Sequence, residues 1–421
     1  MRDAPPADAA TGSMKRPRAR VWLAAALVVL AGLGVLRLAR HPLKTPQRDP
    51  EELLRSAKAH WSNGQLDEAD AELNELSRST RPASVAQRLL RAQVAKERGK
   101  LDEALAALQG VPDSDPEAAL IWRSRGSLEF ERNRAQAAET ALLHALALSP
   151  DMPEARRGLV DLYSIQGRKA DLSAQFKALA RSGTLSFDDL YLWCLGRRHD
   201  VGPADLAAKL DAMLQNDPGD RTTRLALAEN HRRLGKLAEA QADLDSFSAT
   251  DPVARAARAR LAIDRGAVDL AERLLSEGPT DDPGLARLRG RLALGRGDAS
   301  AAAHFRTALA ADPDDHDTLF GLGQSLRLKG EATGAKPYLE AARAREHLEW
   351  LIQNARSSLE RDDPKSLSAV GDACRSLGRL PEAQGWYRLA LARDPLSGDL
   401  QKKLFEIDAA ITGRDQKPRP R

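Results

Sequence analysis

The 421-residue sequence predicts an all-α solenoid of helix-turn-helix units behind an N-terminal transmembrane helix. Four near-copies carry the first part: Gly64-Gln-Leu-Asp-Glu-Ala69, Gly99-Lys-Leu-Asp-Glu-Ala104, Gly235-Lys-Leu-Ala-Glu-Ala240 and Gly378-Arg-Leu-Pro-Glu-Ala383. Self-similarity of this kind marks an array of supersecondary units. The spacing agrees, since Pro218 and Pro252, each closing an Asp-Pro pair, lie 252 − 218 = 34 residues apart. The transmembrane part rests on Val21 to Leu36, an apolar run without a charge.

Taken in order, residues 1–20 form a basic, disordered N-terminus, and residues 21–40 an uncleaved signal-anchor helix. Val21 to Leu36 would run about 24 Å as a helix, short of a hydrocarbon core of about 30 Å. Leu38 and Ala39 extend it if Arg37 reaches the interface. Lys15, Arg16, Arg18 and Arg20 precede the run, and Arg37, Arg40, Lys44 and Arg48 follow it. A cleaved signal peptide is the rival reading, but the flank Leu36-Arg-Leu-Ala-Arg40 lacks the small residues that cleavage wants. A soluble helix is the third. An apolar segment so near the start places the N-terminus in the cytoplasm and the array beyond a bacterial inner membrane, in a periplasmic space, although the basic flanks differ little between the two ends. The Pro-rich linker 41–49 then holds the array close to the membrane.

Residues 50–395 hold about nine units, opening near Pro50, Val85, Ala119, Pro153, Phe187, Arg221, Pro252, Asp282, His316 and Pro364, some far from consensus. In each, a glycine after the first helix can take the left-handed conformation that ends a helix. The acid of the following Leu-x-Glu-Ala sits in the first turn of the second helix, where the dipole favours it. Proline then closes the unit, because it cannot continue a helix. One long irregular helix, 338–361, interrupts the rhythm; its stripe is Leu339, Ala342, His347, Trp350, Leu351, Ala355 and Leu359, with Pro337 in its first turn. It reads as a degenerate repeat or as a partner-binding edge. Leu400, Leu404, Ile407 and Ile411 share one face of a capping helix, 396–412, which a solenoid needs to shield its last unit. The basic tail 413–421 is expected to be disordered.

The clearest unit starts at Ala119 and carries Trp122, Gly126, Ala138, Ala145 and Pro150 at positions 4, 8, 20, 27 and 32. It resembles the tetratricopeptide repeat, of about 34 residues, and the resemblance covers roughly Pro50 to Pro395. It implies a right-handed superhelix whose concave face, lined by first helices, binds polypeptide partners. Subfamily roles do not carry over. The Lys and Asn pattern of chaperone-binding members is replaced here by Leu54 and Lys58, or by Arg123 and Ser127.

Chemistry is absent from the sequence. There is no phosphate-binding Gly-x-x-x-x-Gly-Lys-Ser/Thr, no Gly-x-Ser-x-Gly elbow and no His-Glu-x-x-His, and the eight histidines are scattered. No catalytic residue, cofactor or metal is expected. The net charge of +4 is slight for this length, so nucleic acid is not expected either. Cys194 and Cys374 fall five units apart, beyond disulfide reach in an open solenoid, and read as small core residues.

The concave face is the candidate surface. Position 12 of the first helices is basic in Lys96, Arg198, Arg232, Arg327 and Arg375, and position 9 is acidic in Asp161, Glu229 and Asp372. Such charges are either solvated surface or a basic-edged groove for an acidic or extended polypeptide. The expected function is a membrane-tethered protein-interaction scaffold in envelope, secretion or polysaccharide-export assembly. The alternative is a non-catalytic accessory subunit of a membrane-associated enzyme complex.

Overall fold

The computed structural model describes residues 48–79, 82–183, 185–196, 201–357 and 360–415, and among these it holds twenty-one helices and no strand. Val21 to Leu36 lies outside the described residues. Among the described residues no helix is long and apolar enough to cross a membrane.

The chain divides into two compact units, before and after Ser84. The first contains α1 (Pro50–Ser62) and α2 (Leu66–Ser79). The second opens with the pairs α3 (Val85–Glu97) with α4 (Leu101–Ala107), α5 (Ala118–Glu131) with α6 (Ala135–Leu148), and α7 (Pro153–Ile165) with α8 (Lys169–Ser182). It continues with α9 (Phe187–Leu195) and α10 (Pro203–Asn216), α11 (Arg221–Arg233) and α12 (Leu237–Asp245), then α13 (Pro252–Asp264) and α14 (Val268–Ser276). It closes with α15 (Pro283–Gly295) and α16 (Ala301–Leu309), α17 (His316–Leu328) and α18 (Ala332–Ala355), α19 (Pro364–Ser376) and α20 (Leu380–Arg393), and the cap α21 (Gly398–Asp415). The sequence register holds to within one residue at every start. Nine of the ten successive couples pack as helix pairs among the described residues; α9 and α10 do not, and α9 packs instead against α8 and α20.

Local chemistry explains the punctuation. Asp220, Asp251, Asp282, Asp315 and Asp363 each cap a first helix by accepting hydrogen bonds from first-turn backbone N–H groups. Pro252, Pro283 and Pro364 follow their caps at the first helical position, where a missing N–H is harmless. Asp251-Pro252 therefore starts a helix as well as ending a unit. Each turn between the two helices of a pair needs one left-handed residue. Gly378 supplies it at φ 73°, and Asn133 at φ 58° is the one described unit's substitute for glycine.

A second rule is spatial. Position 8 of each first helix is small: Ala57, Ala92, Gly126, Val160, Cys194, Ala228, Ala259, Gly290, Gly323 and Gly371. Fifteen or sixteen residues later, the second helix presents a large side chain: Leu73, Leu108, Leu142, Phe176, Leu210, Leu244, Leu275, Phe305, Leu339 and Tyr387. A Cβ at Gly126 would lie 2.6 Å from Leu142 Cγ, one at Gly323 2.6 Å from Leu339 Cγ, and one at Gly371 2.5 Å from Tyr387 Cε1. At Gly126, Gly290, Gly323 and Gly371 the small residue is the socket for the large one on the second helix of its own unit.

The long helix differs from expectation. α18 is one continuous run of 24 residues that starts at Ala332, so Pro337 lies inside it instead of opening it. Its buried face is Ala342, Leu348, Ile352 and Ala355, whereas Trp350 is 57% exposed and His347 is also exposed. Spacings of six, four and three residues follow the 3.6 period more closely than the stripe read through residues 347 and 350. Leu359 lies outside the described residues. α21 reaches Asp415, beyond the expected end of the cap, and residues 416–421 of the tail lie outside the described residues.

Within the second unit the stack folds back on itself. α8 and α9 pack against α20, and residues from both regions share one hydrophobic core. Phe187 meets Trp386 edge-on at 5.4 Å. Gly385 admits Leu190, whose Cδ2 would stand 2.5 Å from an added Cβ. Tyr191 donates to Gln353 at 3.3 Å, Arg388 donates to the Ala180 carbonyl at 2.7 Å, and Arg361 pairs with Asp188 at 2.7 Å. This junction corrects the reading of the cysteines. Both are buried core residues, but their sulfurs are 4.0 Å apart. The open-solenoid geometry assumed for them does not hold.

Candidate functional site

The basic row at position 12 is placed on first helices as expected, and the structure supplies most of it with partners. Lys96 on α3 pairs with Glu131 on α5 at 2.5 Å. Arg375 on α19 pairs with Glu406 on the cap at 2.9 Å. Arg232 on α11 pairs with Asp264 on α13 and with Glu229 at 2.8 Å, and Arg260 also donates to Glu229 at 2.9 Å. Burial alone would raise the Glu229 pKa, but the hydrogen bonds and charges of Arg232 and Arg260 outweigh it and hold the carboxyl below its ordinary range. In each case the cation at position 12 reaches an acid at the end of the next first helix or on the cap. The row is a series of staples between consecutive units. Arg327 is the member that is exposed with no ion pair among the described residues, and Arg198 lies outside the described residues. Of the acids at position 9, Glu229 belongs to the Arg232 staple, and Asp372 accepts from the Tyr387 hydroxyl at 2.7 Å and Lys403 at 2.9 Å.

The more enclosed feature was not legible in the sequence. Where the stack folds back, a cavity of about 950 Å³ opens between the N-terminal part of α8, the end of α9, the loop before α17, α18 and the turn into α20. Its wall is charged, with Asp312, Asp314, Asp315, Glu346, Glu349 and Glu382 set against Lys169, Lys177, Arg345 and Arg379. Arg379 is its hub: it pairs with Glu382 at 3.2 Å and Asp314 at 3.4 Å, and donates to the Cys194 carbonyl at 3.4 Å. Arg345 donates to the same carbonyl at 3.1 Å. Two guanidiniums thus answer the negative end of α9. Burial, then the neighbouring Asp314, pushes the Asp312 carboxyl above its ordinary value. Among the described residues no cluster of three histidine, cysteine or acidic side chains could hold a metal ion. The one advance signal was the acidic run Asp312-Pro-Asp-Asp315, which says nothing about what faces it.

Three comparisons bear on the chain. The Tetratricopeptide repeat family profile matches residues 54–119, 89–153, 287–346 and 340–397, together half of the chain. Cellulose synthase operon protein C of Xanthomonas axonopodis pv. citri (strain 306) is 30% identical over 275 residues, which are 62% of this chain and 17% of that protein. The match takes in about a sixth of that relative's length. Among solved structures, the APC/C hetero-tetramer Cut9-Hcn1 is similar at 13% identity and a TM-score of 0.35, covering 86% of this chain and 84% of that chain. A tetratricopeptide repeat protein from Parabacteroides merdae ATCC 43184 is similar at 20% identity and a TM-score of 0.28, covering 66% and 98%.

Proposed function

The chain belongs to the tetratricopeptide repeat family, and on that premise we propose that it is a non-catalytic scaffold that binds polypeptide partners along its first helices. The observation that carries this reading is the recurrence of Lys96, Arg232, Arg327 and Arg375 at one structural position of stacked first helices. Surface ion pairs contribute about 0–1 kcal/mol, so acidic side chains of an extended partner can exchange with Glu131 or Glu406 at little cost. Several such exchanges along one segment give useful affinity where a single one does not. Arg327 offers an exposed cation with no ion pair to break among the described residues.

The proposal extends to placement. Val21 to Leu36 tethers the scaffold to a bacterial inner membrane with the repeats on the periplasmic side, and its similarity to a cellulose synthase operon protein favours a role in polysaccharide assembly or export. The test is photo-crosslinking from position 327 in the full chain, compared with position 239 on a second helix. A partner captured at 327 alone, and lost when Lys96 and Arg327 are both changed to Glu, supports the reading. Equal capture at both positions, or capture indifferent to the charge reversal, contradicts it.

A further inference from the structure

We propose that Cys194 and Cys374 are a redox-modifiable pair, a clasp that a disulfide-bearing oxidant closes into one intramolecular disulfide and a thiol reductant reopens. The two sulfurs sit 4.0 Å apart on α9 and α19, helices brought together by the fold-back of the stack. A disulfide needs about 2.05 Å, so bonding requires an approach of about 2 Å by two side chains already in contact. Both residues are buried, Cys194 at 3% exposure and Cys374 at 0%. Cys194 nevertheless forms part of the wall of the 950 Å³ cavity, which gives an oxidant a route to it.

The surroundings make the two thiols unequal. The Trp386 indole N–H donates to Cys194 Sγ at 3.4 Å, and Arg379 spans the end of the same helix. The hydrogen bond from Cys374, with the Arg379 charge and the Trp386 donor, holds the Cys194 thiol below its ordinary range against the effect of burial. Burial, and then the negative character of Cys194, pushes the Cys374 thiol well above it. Cys194 lines the cavity and Cys374 does not, so an oxidant meets Cys194 first, which makes Cys194 the attacking sulfur and Cys374 the resolving one.

The exchange balances without a metal or cofactor. The Cys194 thiolate attacks one sulfur of a small disulfide such as oxidised glutathione, forming a mixed disulfide and expelling one thiolate. Cys374 then loses its proton and attacks Cys194 Sγ, expelling the second thiolate. Two electrons and two protons leave the pair, and the oxidant departs as two thiols. The product ties α9, which forms part of the cavity wall, to α19.

The test equilibrates the purified full chain in glutathione buffers of rising oxidised-to-reduced ratio, quenches with acid, denatures, alkylates the free thiols and maps peptides by mass spectrometry. The expected result is a single transition in which a peptide joining residues 194 and 374 appears and both alkylated forms vanish together, reversed by dithiothreitol. Amide exchange in α9 and α19 should slow by about tenfold or more in the oxidised form. Cys374→Ser should trap glutathione on Cys194; the wild-type mass map decides the matter if that variant does not fold. Two thiols still fully alkylated across the series, separate glutathione adducts on each, or a disulfide between chains would each overturn the proposal.

Discussion

Gly126→Ala tests the socket that repeats through the core. Alanine is preferred to glycine in a helix interior by about 1 kcal/mol, so propensity alone predicts stabilisation. The structure predicts the opposite sign. The new Cβ would stand 2.6 Å from Leu142 Cγ, 2.8 Å from its Cδ2 and 3.2 Å from its backbone nitrogen. Leu142 is 2% exposed and lies so close to Gly158 that a Cβ there would stand 2.9 Å from its Cδ1, so its side chain has little room to retreat, and the nearby backbone nitrogen means that α6 must move as well. Overpacking of this kind costs about 1–3 kcal/mol, so the net change is from near zero to about 2 kcal/mol of destabilisation. Denaturation by urea, followed by circular dichroism, gives the change. Gly334→Ala in α18, where nothing lies within 4 Å, is the control and should stabilise. Leu142→Ala should cost about 2–5 kcal/mol by itself, and in that background Gly126→Ala should turn favourable. A Gly126→Ala change that stabilises equally with Leu142 present or absent would refute the socket.

The remaining predictions concern charge and placement. Asp315 caps α17 and accepts from the Thr318 hydroxyl at 2.5 Å; burial would raise its pKa, but Thr318 and Arg287 together hold it below the ordinary carboxyl value. Its folded pKa is thus below the unfolded value of about 3.9, so its stabilisation is complete above that pH and is lost as pH falls through the folded pKa. Asp315→Asn should accordingly flatten the acid limb of the stability profile, and an unchanged limb would count against this assignment. Arg375→Glu sets two acids together at Glu406 and should loosen α21 in hydrogen exchange by no more than about 1 kcal/mol, since the Arg375 and Glu406 side chains are 44% and 39% exposed. Deleting Val21 to Leu36 should release the full chain from bacterial membranes in carbonate, and retention would refute the anchor.

How much of this was legible follows from the range of each interaction. Caps, turns and unit starts are local, so Asp-Pro pairs and glycines at position 15 located Pro252, His316 and Pro364 without a structure. The socket between Gly126 and Leu142 is also legible, because its spacing of sixteen residues recurs. The partners of Lys96 and Arg232 lie one unit further on, at Glu131 and Asp264, and a pattern at a single repeat position carries no sign of them. The fold-back is beyond any periodic signal. Phe187, Leu190 and Cys194 belong to one unit and Cys374, Gly385 and Trp386 to another, and small accumulated rotations along the stack decide whether they meet. In the fifth unit α9 does not pack on its own second helix, α10, but on α8 and α20. The cavity inherits the same blindness, because its walls come from five separate segments.

The fold-back is most directly tested by the distance between spin labels at positions 188 and 361, introduced in a Cys194→Ala/Cys374→Ala background and measured by pulsed electron resonance. Asp188 and Arg361 are joined at 2.7 Å across the junction. Labels there should give one narrow distribution at the shortest distances two label arms allow, broadening only when urea melts the stack. A long or broad distribution in native buffer would mean that α9 does not meet the segment leading into α19, and with that contact would go the cavity and the thiol pair.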